Sequence, residues 1–262
     1  MKIAAVQINC RLNESERNLR RALQCMDREK ADLYVLPELF STGYLFSSRA
    51  EVVQVAEVIP AGETCQSLIA ACQKRKCHLV AGLAERAGDK VFNASVLIGP
   101  SGHLATYRKI HLFDEEKKWF DPGDRPFAVH DIGAAKIGLM ICFDWMFPES
   151  MRSLALLGCQ IVCHSANLVL PYCQQAITTR CLENGVFCVT ANRTGYDQRG
   201  TKRLQFTGHS QITGPRGQVL AQASKLLEEV IVVDISPQAA DDKWLNSANH
   251  LIKDRRLDLY QH

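Results

Sequence analysis

The chain has 262 residues, enough for a large hydrophobic core. Hydrophobic residues make up 47%, charged residues 23%, and the net charge is +3. So small a charge, with Arg108-Lys109 set against Asp114-Glu115-Glu116, describes a solvated mixed surface and predicts no nucleic-acid partner.

The apolar run at residues 1–9 is too short for a secretory signal and reads as a strand. No stretch approaches the roughly 18 apolar residues of a membrane span, so no membrane partner is predicted. Eleven cysteines without an export signal predict a reducing compartment and a cytoplasmic location. None forms a Cys-x-x-Cys pair, so a metal site is not expected. Cys65, Cys72, Cys77, Cys159, Cys163, Cys173, Cys181 and Cys188 read mostly as small core fillers.

In chain order, the apolar pattern predicts a strand over 3–9 and a helix over 13–30. Leu19, Leu23 and Met26 fall on one side of that helix. Strand 33–37 and helix 64–76 follow. Three strands, 78–83, 91–99 and 104–108, then come without a helix, with a Gly99-Pro-Ser-Gly102 turn between the last two. Strand 137–142 leads into helix 148–157, and strand 161–164 into helix 171–185. Strands 187–191, 209–213 and 230–235 close the chain. Strands alternating with helices, plus runs of β alone, predict one α/β domain over 1–262. Its mixed sheets pack together with helices outside.

Four clusters have chemical potential. Leu33-Tyr-Val-Leu-Pro-Glu38 puts a carboxylate just past a strand, where it is either satisfied by a partner or tuned for proton transfer. Thr106-Tyr-Arg-Lys-Ile-His-Leu-Phe113 ends a strand with two cations. They read either as a surface pair or as Lys109 aimed into a pocket, with His111 bracing the loop. Asp114-Glu-Glu-Lys-Lys118 looks like an exposed charged turn. Ile137-Gly-Leu-Met-Ile-Cys142 runs into Phe143-Asp-Trp-Met-Phe-Pro-Glu149 and then a helix, so Cys142 sits at an elbow suited to a nucleophile. A carboxylate, an ammonium and a thiol at three strand ends are expected to share one rim of the fold. There the carboxylate serves the thiol as base and the ammonium stabilises the anion.

Together these blocks resemble the three signature blocks of the carbon–nitrogen hydrolase (nitrilase) superfamily, in order and in spacing. The resemblance extends to Arg180-Cys-Leu-Glu183 and to Thr190-Ala-Asn192-Arg193-Thr-Gly195. It implies a four-layer α-β-β-α sandwich with two mixed sheets, assembled as a homodimer or larger homo-oligomer. It implies a triad of Glu38 as general base, Lys109 as oxyanion stabiliser and Cys142 as nucleophile, with no cofactor. A second glutamate follows the lysine block in many members, and Glu116 matches it best, with Glu115 adjacent. The partner is then a small-molecule amide, carbamoyl amine or nitrile.

The turn after Cys142 bears on the substrate. Members acting on N-carbamoyl amino acids resemble Cys-Asn-Asp-Arg-Arg-Trp-Pro-Glu here, and their arginines clamp a carboxylate. This chain has Trp145-Met146 instead, which forgoes a contact worth about 1.5–3 kcal/mol. Tyr44, Phe46, Phe143, Trp145, Phe147 and Tyr172 are candidates for an apolar pocket wall, and Asn167 for a polar rim residue. An amidase or N-carbamoyl amine hydrolase, a small aliphatic nitrilase, and a non-catalytic interaction protein of the same fold all remain as readings.

Overall fold

The computed structural model describes residues 1–260. From the N-terminus, β1 (Lys2–Gln7), α1 (Ser15–Met26), β2 (Leu33–Val35), α2 (Arg49–Val55), α3 (Glu63–Arg75), β3 (His78–Ala87), β4 (Lys90–Gly99) and β5 (Gly102–Arg108) build the first half. The short α4 (Glu116–Trp119) leads to β6 (Val129–Asp131), β7 (Lys136–Ile141), α5 (Pro148–Leu156), β8 (Ile161–Ser165), α6 (Cys173–Asn184) and β9 (Phe187–Ala191). Five strands finish the chain: β10 (Tyr196–Arg199), β11 (Lys202–Gln205), β12 (Gln211–Thr213), β13 (Val219–Gln222) and β14 (Glu229–Asp234).

Two six-stranded sheets result, in the orders β14-β1-β2-β3-β4-β5 and β13-β12-β9-β8-β7-β6. Each has three central parallel strands flanked by antiparallel ones, so both are mixed. The alternation of side chains along β1 assigns the layers. Ile3 and Ala5 pack into the gap between the sheets with Leu33, Val35, Ile137 and Leu139. Ala4 and Val6 face outward with Tyr34 and Leu79, and are covered by Cys25 and Met26 of α1 and Leu68 and Cys72 of α3. On the far side Met151 and Leu154 of α5 and Ile177 and Cys181 of α6 cover the second sheet. The fold is the α-β-β-α sandwich.

Helix ends follow local chemistry. α3 stops where Lys76 turns left-handed (φ 53°), and α6 stops at Gly185 (φ 60°), the conformation glycine adopts without a Cβ penalty. The first helix is shorter than its periodicity predicts. Asn13, expected to open it, has φ 58°, and the helix begins at Ser15 and ends at Met26. The β10–β11 hairpin, α2 and the edge strands β6 and β13 carry no strong apolar alternation, and the sequence pattern passes over them. All eleven cysteines are free and buried.

Candidate active site

Glu38 lies in the loop after β2, Lys109 is the first residue after β5, and Cys142 follows β7. The expected common rim of adjacent strands is not what joins them. β2 and β5 belong to one sheet with β3 and β4 between them, and β7 belongs to the other. The residues meet because the two sheets stack face to face. The backbone of Glu38 crosses closely over Gly82 of β3, where any Cβ would collide with Glu38 Cα. Cys142 itself has φ 39° and Leu39, next to Glu38, has φ 46°. Such left-handed conformations cost a non-glycine residue about 1–3 kcal/mol and persist only where the surroundings hold them.

Lys109 Nζ donates to Glu38 Oε1 at 2.7 Å and to Glu116 Oε1 at 2.8 Å. An ammonium has three donors, so one N–H remains for a ligand. Glu38 Oε1 also accepts from Asn93 Nδ2 at 2.7 Å, while Glu38 Oε2 is buried with no protein partner. Glu116 is fixed by the Tyr44 hydroxyl at 2.6 Å and by the Phe113 N–H at 3.1 Å. The charged turn predicted at 114–118 is therefore only partly exposed. Glu116 is buried, whereas Glu115 faces solvent beside Lys118 and Lys202.

The cluster is shielded from bulk solvent, with Glu38 at 0% and Lys109 at 1% exposure. Burial opposes the Lys109 charge, but Glu116 and Glu38 outweigh it and hold the ammonium above the ordinary lysine value. Burial raises the Glu116 carboxyl; Lys109 opposes this and Glu38 reinforces it. Burial also pushes the Cys142 thiol well above its usual range, with Glu38 adding to the rise and Lys109 opposing it. Burial thus favours the thiol form of the resting sulfur, and Glu38, whose charge acts on it, has one carboxylate oxygen without a protein partner. A proton moving from Sγ to Glu38 leaves the net charge of the cluster unchanged.

The elbow is braced from both sheets. Cys142–Met146 forms a 3₁₀ turn, and Asp144, fully buried, accepts from Ile141 N–H (2.8 Å), the Tyr107 hydroxyl (2.7 Å) and His111 Nδ1 (2.8 Å). His111 therefore does brace the lysine loop, and does so against the nucleophile's own turn. From β8, His164 Nε2 lies 2.9 Å from the Cys142 carbonyl.

Two small chambers flank the cluster, sharing Phe113 and Val169 as a wall. One is bounded by Cys142, Phe143, Trp145, Asn167, Leu168 and Leu170. The other lies over Glu116 and is bounded by Tyr44, Phe46, Trp119, Phe120 and Leu204. The first contains no Arg or Lys. Among the described residues no group of three or more His, Cys, Asp or Glu side chains converges as a metal site.

The carbon-nitrogen hydrolase family model matches residues 2–242. The chain belongs to that family. A nitrilase of Pyrococcus abyssi is 45% identical over 99% of this chain and 99% of its own. An (R)-stereoselective amidase of a Pseudomonas species is 36% identical, covering 99% of this chain and 93% of its own. Among solved structures, a mutant amidase of Nesterenkonia sp. AN1 superposes with TM-score 0.81 at 26% identity, covering 99% of this chain and 95% of its own. It carries the acetamide moiety of fluoroacetamide on its active-site cysteine. The chain is a carbon–nitrogen hydrolase of the nitrilase and amidase type, and an enzyme.

In this carbon–nitrogen hydrolase, Glu38, Lys109, Glu116 and Cys142 come together as the sequence predicts. Phe143, Trp145, Tyr44 and Phe46 line the chambers. Asn167 bounds the chamber beside Cys142, is 2% exposed, and neither polar atom of its side chain has a protein partner. Two expectations need correction. Phe147 stacks on His111 with ring centroids 3.8 Å apart and bounds neither chamber. Tyr172 is 61% exposed and bounds neither chamber. Sequence reasoning passed over Asn93, Tyr107, Asp144 and His164. A charged Asp144 inside an apolar block was the one available signal.

Proposed function

We propose that the protein hydrolyses the carbon–nitrogen bond of a small, uncharged amide or N-carbamoyl compound, releasing ammonia through a Cys142 thioester. The observation that supports this most directly is the pairing of an unpartnered, buried Glu38 Oε2 with an ammonium that has one donor to spare. Cys142 Sγ attacks the carbonyl carbon while its proton passes to Glu38 Oε2. The carbonyl oxygen becomes an oxyanion held by the free Lys109 N–H and the Phe143 backbone N–H. The carbon–nitrogen bond then breaks, and Glu38 returns the proton to the departing ammonia. Water enters, gives a proton to Glu38 and opens the thioester, after which the thiol is re-formed. Glu116, tied to Tyr44 and Phe113, holds Lys109 in register.

The chamber beside Cys142 favours an uncharged acyl group, since Phe113, Trp145 and Leu168 bound it and no cation does. A second reading, hydrolysis of an aliphatic nitrile, is favoured by the 45% identical relative named a nitrilase. There the same thiolate adds to the nitrile carbon, and a thioimidate gains water before ammonia leaves. We also propose a homodimer or larger homo-oligomer, supported by Leu156, Leu157 and Leu182 exposed on and beside α5 and α6.

A panel of small amides, carbamoyl amines and nitriles, scored for ammonia with CO2 measured alongside, separates these readings. Carbamoyl substrates alone yield CO2. The Cys142→Ala variant is expected to release no ammonia; release near the wild-type rate would end the proposal.

A further inference from the structure

Among the described residues His164 is the one fully buried histidine, and the reaction above does not use it. It sits on β8, beside β7, one residue before the strand's end. Its Nε2 is 2.9 Å from the Cys142 carbonyl oxygen and its Nδ1 is 3.2 Å from Thr190 Oγ1 on β9. A carbonyl oxygen only accepts, so Nε2 carries the hydrogen. Nδ1 is then the acceptor in the neutral ring, and the Thr190 hydroxyl donates to it. Burial lowers the basicity of the ring, so it stays neutral, although the Cys142 carbonyl and the nearby charges of Asp144 and Glu38 oppose that. The Lys109 charge acts in the same direction as burial.

The peptide that His164 grips is the one joining Cys142 to Phe143. It is planar and trans, so its C=O and N–H point in opposite directions. Fixing the carbonyl therefore fixes the direction of the Phe143 N–H. A hydrogen bond on the carbonyl also polarises the amide and strengthens that N–H as a donor. Cys142 needs such an anchor, because its φ of 39° is unfavourable for a side chain with a Cβ.

We infer that His164 is a positioning residue for the oxyanion site. Held in the Nε2–H tautomer by Thr190, it anchors the Cys142 carbonyl and so aims the Phe143 N–H at the oxygen of the tetrahedral adduct. The inference rests on the thioester reading above. It assigns β8 a part in the chemistry although no side chain of that strand touches the reacting carbon.

The test compares His164→Leu, His164→Gln and Thr190→Val with the wild type, using butyramide hydrolysis and Cys142 alkylation by iodoacetamide. Alkylation needs the thiolate but forms no oxyanion. His164→Leu is expected to lose on the order of 10- to 100-fold in kcat with KM changed little. Its alkylation rate should stay within about 3-fold of wild type. His164→Gln, whose amide can donate toward the same carbonyl, should regain most of the lost kcat. Thr190→Val, which frees the tautomer while leaving the elbow intact, should show a smaller loss with the same signature, and it serves if His164→Leu does not fold. The shape of the pH–kcat profile should not change, because a neutral ring does not titrate in the catalytic range.

Wild-type kcat in folded His164→Leu, or equal loss of hydrolysis and alkylation in the Leu, Gln and Val variants, would overturn the inference. An acid limb that disappears in His164→Gln would overturn it too, by making His164 a base. A hydrolytically active Cys142→Ala would instead mark failure of the thioester reading itself.

Discussion

The Tyr107 hydroxyl donates to Asp144 Oδ2 at 2.7 Å, and with the His111 bonds to the same carboxylate it joins the segment that delivers Lys109 to the turn that delivers Cys142. Tyr107 is the penultimate residue of β5 in one sheet, and Asp144 lies in the 3₁₀ turn after β7, a strand of the other. Removing the hydroxyl leaves a fully buried carboxylate short of one donor. Tyr107→Phe is expected to lower unfolding stability by about 1–3 kcal/mol. Urea denaturation checks this. Activity should fall with it, because the lysine and the thiol lose their common reference.

Glu38→Gln keeps the side chain's volume and its contact with Lys109 while removing the base. Its kcat is expected to fall on the order of 10³-fold or more, within the range that general-base and electrostatic contributions span together. Cys142 should still alkylate in this variant, because removing the Glu38 charge relieves one cause of the raised thiol even as the proton acceptor is lost. Parallel rates of hydrolysis and iodoacetamide labelling test the point; labelling that falls in proportion to kcat would contradict it.

Arg193 is completely buried, bonded to both oxygens of Asp197 at 3.0 Å and lying over the Phe206 ring. Asp197 in turn accepts from the Tyr44 and Leu45 N–H groups at 2.9 and 3.1 Å, so this pair holds the loop that carries the Tyr44 hydroxyl to Glu116. Asp197→Ala strands a buried guanidinium and should cost about 3–5 kcal/mol. A melting-curve comparison would refute this if the variant matched wild type.

Acid should weaken the fold through His164. Its folded-state pKa lies below the unfolded value of about 6.5, so the neutral ring's contribution is fully present above that pH. It is lost as pH falls toward the folded pKa, with a slope of at most about 1.4 kcal/mol per pH unit for this one proton. Stability measured from about pH 7.5 down to 5 should decline less steeply in His164→Gln than in wild type by that single-proton slope.

Substrates bearing a carboxylate near the reacting carbon should do poorly. The chamber beside Cys142 offers Trp145 and Leu168 where a guanidinium clamp would be needed. N-carbamoyl amino acids are expected to fall below the matching carbamoyl amines by about 10- to 100-fold in kcat/KM, the value of a lost charge-assisted contact. Equal rates would show a cation reaching the site from elsewhere.

The longer strands, and Glu38, Lys109 and Cys142 at their ends, were legible because each of these residues marks a break in an apolar run. The division of those strands between two sheets was not. A residue at a strand's end looks the same whether its neighbour lies beside it or across a gap, and so Glu38, Lys109 and Cys142 were expected on one rim. Glu116 was hidden among Glu115, Lys117 and Lys118 because only tertiary pairing with Lys109 draws it inward. Asn167 reads as a polar turn residue, and its burial depends on how the loop after β8 folds over the nucleophile. Tyr172 and Phe147 show the converse: aromatic side chains near a site in sequence need not face it.

Because Glu38 and Lys109 come from one sheet and Cys142 from the other, neither half of the sandwich holds a competent set. Hydrolytic power is therefore a property of closure. A nascent or partly unfolded chain with its strands formed but its layers apart carries a thiol with neither base nor ammonium beside it, and does not hydrolyse amides. During renaturation, catalysis should return only after the layers have met, later than the β-sheet signal, so that turnover itself counts the molecules whose halves have joined.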